Sequence, residues 1–145
     1  MFKHRKFLSN LDHDAVVAAI ATAEKKSSGR VRLFITHKRV DDPVAAAEKH
    51  FHRLGMAGTQ HRNAIFLFVA PASRKFAVLG DEGIHDKAGD AAWQEIGAAL
   101  EGHFRKGEFT AGLIGAIERA GELLSLHYPP TADSVNELPD DIETD

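Results

Sequence analysis

Apolar positions are densest at Asn63–Ala70, where Ala64, Ile65, Phe66, Leu67, Phe68 and Val69 follow one another without a polar break. A run of that kind predicts a central strand covered on both faces. Pro71-Ala72-Ser73-Arg74 is too short for a crossover, so the next apolar run, Lys75–Gly80, is expected to return antiparallel as a hairpin. Upstream, Arg30–Lys38 alternates: Val31, Leu33 and Ile35 point one way, and Arg32, Phe34 and Thr36 the other. Between these strands, Asp42-Pro43 opens a helix, with Asp as cap and Pro at the first helical position. Its buried stripe is expected at Val44, Ala47, Phe51 and Leu54, and Gly55 ends it. Strand, helix and strand make a βαβ unit, which joins parallel strands by a right-handed crossover.

The rest of the chain carries helical periodicity. Val16, Ala19, Ile20 and Ala23 share one face of a helix from about Asp12 to Lys26, capped by Ser9 or Asp12. Ser27-Ser28-Gly29 stops it, with Gly29 free to take positive φ. Trp93, Ile96, Leu100 and Phe104 define a helix to Arg105, with Trp93 read as a core residue. Phe109, Leu113, Ile117, Ala120 and Leu124 define another over Glu108–His127, ended by Tyr128-Pro129-Pro130. Gly112, Gly115 and Gly121 weaken that helix and predict close contact with a neighbouring element. The fold class is therefore α/β: a three-layer α/β/α sandwich whose small mixed sheet, a parallel βαβ unit plus an antiparallel hairpin strand, is flanked by helices.

Length and charge divide the chain without adding a second domain. A basic arm over 1–9 precedes a single domain over 10–130, and an acidic, flexible tail is expected over 131–145, with Leu138-Pro139 able to pin part of it back. The tail holds six acids and no base, which leaves 15 acids against 18 bases elsewhere. That balance is too weak and scattered for a nucleic-acid footprint. Phe2, Phe7 and Leu8 in the basic arm dock on the domain edge or, alternatively, make peripheral membrane contact. No run is long enough for a transmembrane segment, and no signal-peptide core follows the start, so the expected location is cytoplasmic. Without cysteine, thiolate sites and disulfides are excluded.

Topology suggests where chemistry collects. Both parallel strands begin at one edge of the sheet and the hairpin strand ends there. Ser28, Arg62, Asn63, Asp81, Glu82, His85, Asp86 and Asp90 should therefore line one rim around an acid-rich loop. Asp81, Glu82, Asp86 and Asp90 are candidate ligands for calcium, magnesium or manganese, with His85 or His61 extending the choice to zinc. Arg62 is the candidate phosphate or ion-pair residue, supported by Ser28, Asn63 and His85. Together they would suit metal-assisted phosphoester hydrolysis. A plainer reading stands beside each: Asp81 with Arg62 as a structural salt bridge, Asp86 or Asp90 as helix caps, His85 as a surface histidine. His50 and His52, two apart within one helix, do not share a face and make a poor metal pair. No organic-cofactor motif is present.

Several blocks in order resemble the TPM domain family: Ser27-Ser28-Gly29, Gln60-His61-Arg62-Asn63-Ala64, Gly80-Asp81-Glu82-Gly83-Ile84-His85 before Trp93, the closing helix to Tyr128-Pro129, and Asn136-Glu137-Leu138-Pro139-Asp140. The resemblance covers about residues 8–141 and looks like the short, soluble, bacterial branch. It implies an α/β sandwich. It also implies a binding or accessory module with an unidentified protein partner, in a family whose members include divalent-cation binders, helpers of membrane-protein maintenance such as photosystem II repair, and proteins credited with acid phosphatase activity. The alternatives it leaves are a weak metal-dependent acid phosphatase and a purely structural interaction domain. The chain departs from many members in carrying Arg30 where they have a glutamate after Ser-Gly, and in a less glycine-rich turn at 80–83.

Overall fold

In the computed structural model, which describes residues 10–130 and 142–145, a four-stranded sheet lies between two layers of helices. The basic arm over 1–9 and residues 131–141 of the acidic tail lie outside the described residues. In chain order the elements are α1 (His13–Lys25), β1 (Arg30–Ile35), α2 (Pro43–Arg53), β2 (Ala64–Ala70), β3 (Lys75–Gly80), α3 (Glu82–Ala88), α4 (Asp90–Arg105), α5 (Phe109–His127) and β4 (Ile142–Thr144). The sheet order is β3-β2-β1-β4.

The βαβ unit and the hairpin form as the apolar pattern predicts. β1 and β2 run parallel in a register that starts at Arg30 opposite Ala64, and β3 returns antiparallel with Gly80 opposite Ile65. Every residue of β1 and β2 is buried, because both faces of the sheet are covered. On one face Val31, Leu33, Ile35, Ile65, Leu67 and Val69 meet the apolar stripes of α1, α4 and α5. On the other, Phe34, Phe66 and Phe68 pack against Ala47 and Phe51 of α2 and against Met56. His50 is part of this second layer: its ring stacks 5.4 Å from that of Phe68 and tilts 4.3 Å from that of Phe34. Burial, then the nearby Arg53 charge, lowers its pKa.

Local chemistry sets the helix ends. Asp12 and Asp42 cap α1 and α2 by accepting from the Ala15 and Ala45 amides, at 3.1 Å each. Gly55, at φ 74°, follows α2. Gly121 of α5 lies where a Cβ would stand 2.8 Å from Cβ of Ala23, which fixes the close crossing of α1 and α5. Gly112 does the same beside Phe104 and His103.

Five expectations are corrected. Gly29 has no positive φ; it is needed because a Cβ there would lie 2.5 Å from Leu124 Cδ2 and 2.9 Å from the Asn63 carbonyl. Gly115 faces open space, so close packing does not explain it. Val44 is 48% exposed and lies off the buried stripe of α2. The acid-rich stretch after β3 is helical, as α3. Finally, the end of the acidic stretch is ordered into the sheet: Ile142–Thr144 pair in parallel with Leu33–Ile35.

Candidate functional site

The rim is built where β2 begins and β3 ends. Arg62, in the left-handed region at φ 52°, turns the chain into β2. Its carbonyl accepts from the Gly83 and Ile84 amides at 2.8 and 3.3 Å, which locks the turn to the first residues of α3. Gly83 is required at that approach, since a Cβ would fall 2.2 Å from the His61 carbonyl oxygen and 2.8 Å from that of Arg62. Asp81 caps α3, its Oδ1 accepting from the Glu82 amide at 2.8 Å. Its own amide donates to the Ala64 carbonyl at 2.9 Å. The backbone thus fixes both Arg62 and Asp81 before their side chains meet.

They meet as a fork. Arg62 Nε donates to Asp81 Oδ2 at 2.7 Å and Nη2 donates to Oδ1 at 2.9 Å. The carboxylate is 5% exposed and the guanidinium side chain 43% exposed. The hydrogen bond and charge of Asp81 hold the Arg62 pKa above its ordinary value. Glu82 stands further off, 3.7 Å from Arg62 Nη1, and is largely exposed.

A second set of contacts lies along α3 and α4. Trp93 Nε1 donates to His85 Nδ1 at 2.8 Å. An acceptor at Nδ1 puts the ring proton of neutral His85 on Nε2, which faces Asp90 Oδ1 at 3.4 Å. Gly80 makes room for the indole: a Cβ there would lie 2.2 Å from the ring. Across the rim, Tyr128 stacks with His61 at 6.1 Å, and Lys87 Nζ sits 4.4 Å over its ring. Burial, and then the Asp86 charge, raises the Tyr128 pKa. The Tyr128 carbonyl accepts from the Ser28 amide at 2.9 Å, and Asn63 Nδ2 reaches Ser28 Oγ at 3.5 Å.

The expected neighbours therefore do come to one rim: Ser28 with Asn63, Arg62 with Asp81 and Glu82, and His85 with Asp90. The acids do not gather into a coordination shell. Among the described residues no group of three or more His, Asp or Glu side chains is placed to hold a metal ion. Asp81 gives both oxygens to Arg62, and Asp90 lies beyond the α3–α4 break at Gly89, where φ is 81°. As arranged, these residues do not fit a resident divalent cation. Sequence reasoning did not find the roles of Lys87 on Tyr128 and of Trp93 on His85, because both contacts join separate elements.

A small mixed sheet, closed by a hairpin and sandwiched by helices, with an arginine-clasped acid at the hairpin's open end, defines the class of molecule. The family model for the TPM domain matches residues 1–123, and the chain belongs to the TPM domain family. It is similar, at 34% identity and a TM-score of 0.84 over 92% of each chain, to the BA42 protein of the psychrophilic bacterium Bizionia argentinensis, solved by NMR. It shares a fold, with 14% identity and a TM-score of 0.61, with the N-terminal domain of the cg2496 protein of Corynebacterium glutamicum, over 86% of this chain and 77% of that one. No curated protein matches it. Among the described residues, no helix is long and apolar enough to cross a membrane.

Proposed function

We propose that the chain is a non-catalytic binding module whose rim, formed by His61, Arg62, His85, Lys87, Trp93 and Tyr128, is the contact surface for a protein partner. The observation that carries this reading is the two-bond Arg62–Asp81 fork. The acid best placed to lead a cation or hydrolytic site is already spent, both as salt-bridge partner and as helix cap. What the rim offers outward is a half-exposed guanidinium, and a lysine lying over a tyrosine ring that stacks with a histidine. Arginine and aromatic side chains held in place by neighbours are the kind that anchor protein interfaces. No cysteine is available as a nucleophile.

The test is a titration of the chain with calcium, magnesium, manganese and zinc, read from the amide signals of residues 80–90, alongside a phosphoester turnover assay. The reading expects unmoved signals and no turnover with any ion. Saturable shifts confined to 80–90, or metal-stimulated turnover that Asp81→Ala abolishes, would replace it with a cation site or a phosphatase.

A further inference from the structure

The lateral edge of β1 carries chemistry that the rim does not explain. On its β2 side β1 is paired along all six residues, but on its other side only Leu33–Ile35 pair, with Ile142–Thr144. The amide of Val31 is taken by Glu24 Oε2 at 2.8 Å, which closes that edge at its upper end. At the lower end the His37 amide donates to Asp145 Oδ1 at 2.7 Å, and the Thr36 hydroxyl donates to Asp145 Oδ2. Between these stops lies a slot three to four residues long.

The slot selects charge on one face. Arg32 and Phe34 of β1, and Thr36 just after it, share that face, and Glu143 of β4 and Asp145 just after it share it too. Arg32 is 7% exposed and donates through Nη2 to Glu143 Oε1, while its Nε, also buried, has no hydrogen-bond partner among the described residues. A buried guanidinium whose fork is only half met is under-satisfied. The Arg62–Asp81 pair shows what a full fork looks like in the same molecule. Ile142, on the opposite face, is half-buried against the main core.

We propose that this edge is a docking slot for an extended segment of a partner protein with the pattern apolar, acid, any residue, acid, and that residues 142–145 occupy it in cis as a displaceable plug. Backbone pairing along the strand edge that the plug vacates supplies the affinity, and the alternate acids supply the selectivity. Because the plug belongs to the same chain, a competitor must overcome an intramolecular contact. A competitor succeeds by presenting both carboxylate oxygens to Arg32 and so meeting its Nε. This surface is lateral to the rim, and the proposal holds whether or not the rim binds anything.

The experiment uses the full chain and a synthetic acetylated peptide of residues 138–145. In the unaltered chain the peptide must compete with the plug. In the Glu143→Gln/Asp145→Asn chain the plug is weakened, and the peptide is expected to bind at least about ten-fold tighter as the tether's advantage falls. Binding is read from the amides of Leu33, Ile35 and His37. A peptide with Gln and Asn at the two acid positions should not bind, and Arg32→Lys, which cannot form a fork, should weaken the acidic peptide. Glu143→Gln alone serves if the double variant fails to fold. Amides that stay unmoved at millimolar peptide, equal binding of the neutral peptide, or equal affinity for both chains would each overturn the proposal. So would concentration-dependent dimerisation of the unaltered chain that fills the slot with a second copy's 142–145.

Discussion

At the rim, Arg62 keeps 43% of its side chain exposed and hides Asp81 at 5%; along the edge of β1 the arrangement is reversed, with Arg32 at 7% and Glu143 at 29%. The two pairs also differ in what holds them. Asp81 caps a helix whose first amides bond to the Arg62 carbonyl, so the backbone holds the carboxylate and the arginine's Cα in place together. Glu143 sits on a strand of three residues. The comparison teaches that a buried charge is costly to strand only where the structure cannot open to let water in. At the rim the Asp81 carboxylate is held in the fold by its cap; at the edge, the proposed departure of the plug would rehydrate Arg32.

The largest effect expected from this contrast is at Arg62. Arg62→Gln should lower the urea midpoint, followed by circular dichroism, more than any edge variant, because the Asp81 carboxylate stays buried without its fork. A midpoint shift no larger than that of Glu143→Gln would mean that the rim opens as readily as the edge. Gly83→Ala probes the same lock through the backbone. A Cβ placed 2.2 Å from a carbonyl oxygen must shift the turn, and a loss of about 2 kcal/mol is expected, with amide shifts confined to residues 61–63 and 81–85.

Effects at the edge should be smaller and local. Glu143→Gln is expected to cost about 1 kcal/mol or less. Amide exchange at Leu33, Ile35 and 142–144 should quicken while the urea midpoint hardly moves. A global loss as large as that of Arg62→Gln would show the plug to be integral and not displaceable. The smallest effect is that of acid. Burial opposes the Asp145 charge, but the bonds from Thr36 and His37 outweigh it and bring its pKa below the ordinary 3.8. Its stabilisation is therefore complete above that value and is lost as pH falls through the lower folded value. Exchange protection at the His37 amide, followed down through that range, should fade with it.

Much of this was legible in the chain. Continuous apolar runs and an intervening Asp-Pro helix start were enough for the parallel unit and its hairpin, and the shared strand ends were enough to place Arg62 beside Asp81. The α3 segment was not legible, because it has seven residues and a single buried side chain, Ile84, too little for a period to show. Nor was β4: three residues in an acid-rich stretch carry no strand signal of their own, and pairing with β1 decides their conformation. The four acids of the expected cation set are close in sequence. Asp81, however, gives both oxygens to Arg62, and the glycine break at Gly89 sets Asp90 on a second helix.

Trp93 is the single tryptophan of the chain, and its indole lies between Gly80 and the His85 ring. Its fluorescence is therefore an unlabelled optical reporter for one end of the sheet. A ligand that disturbs α3 should change the emission, whereas exchange at the β1 edge should leave it dark to the event, so one cuvette can tell the two surfaces apart.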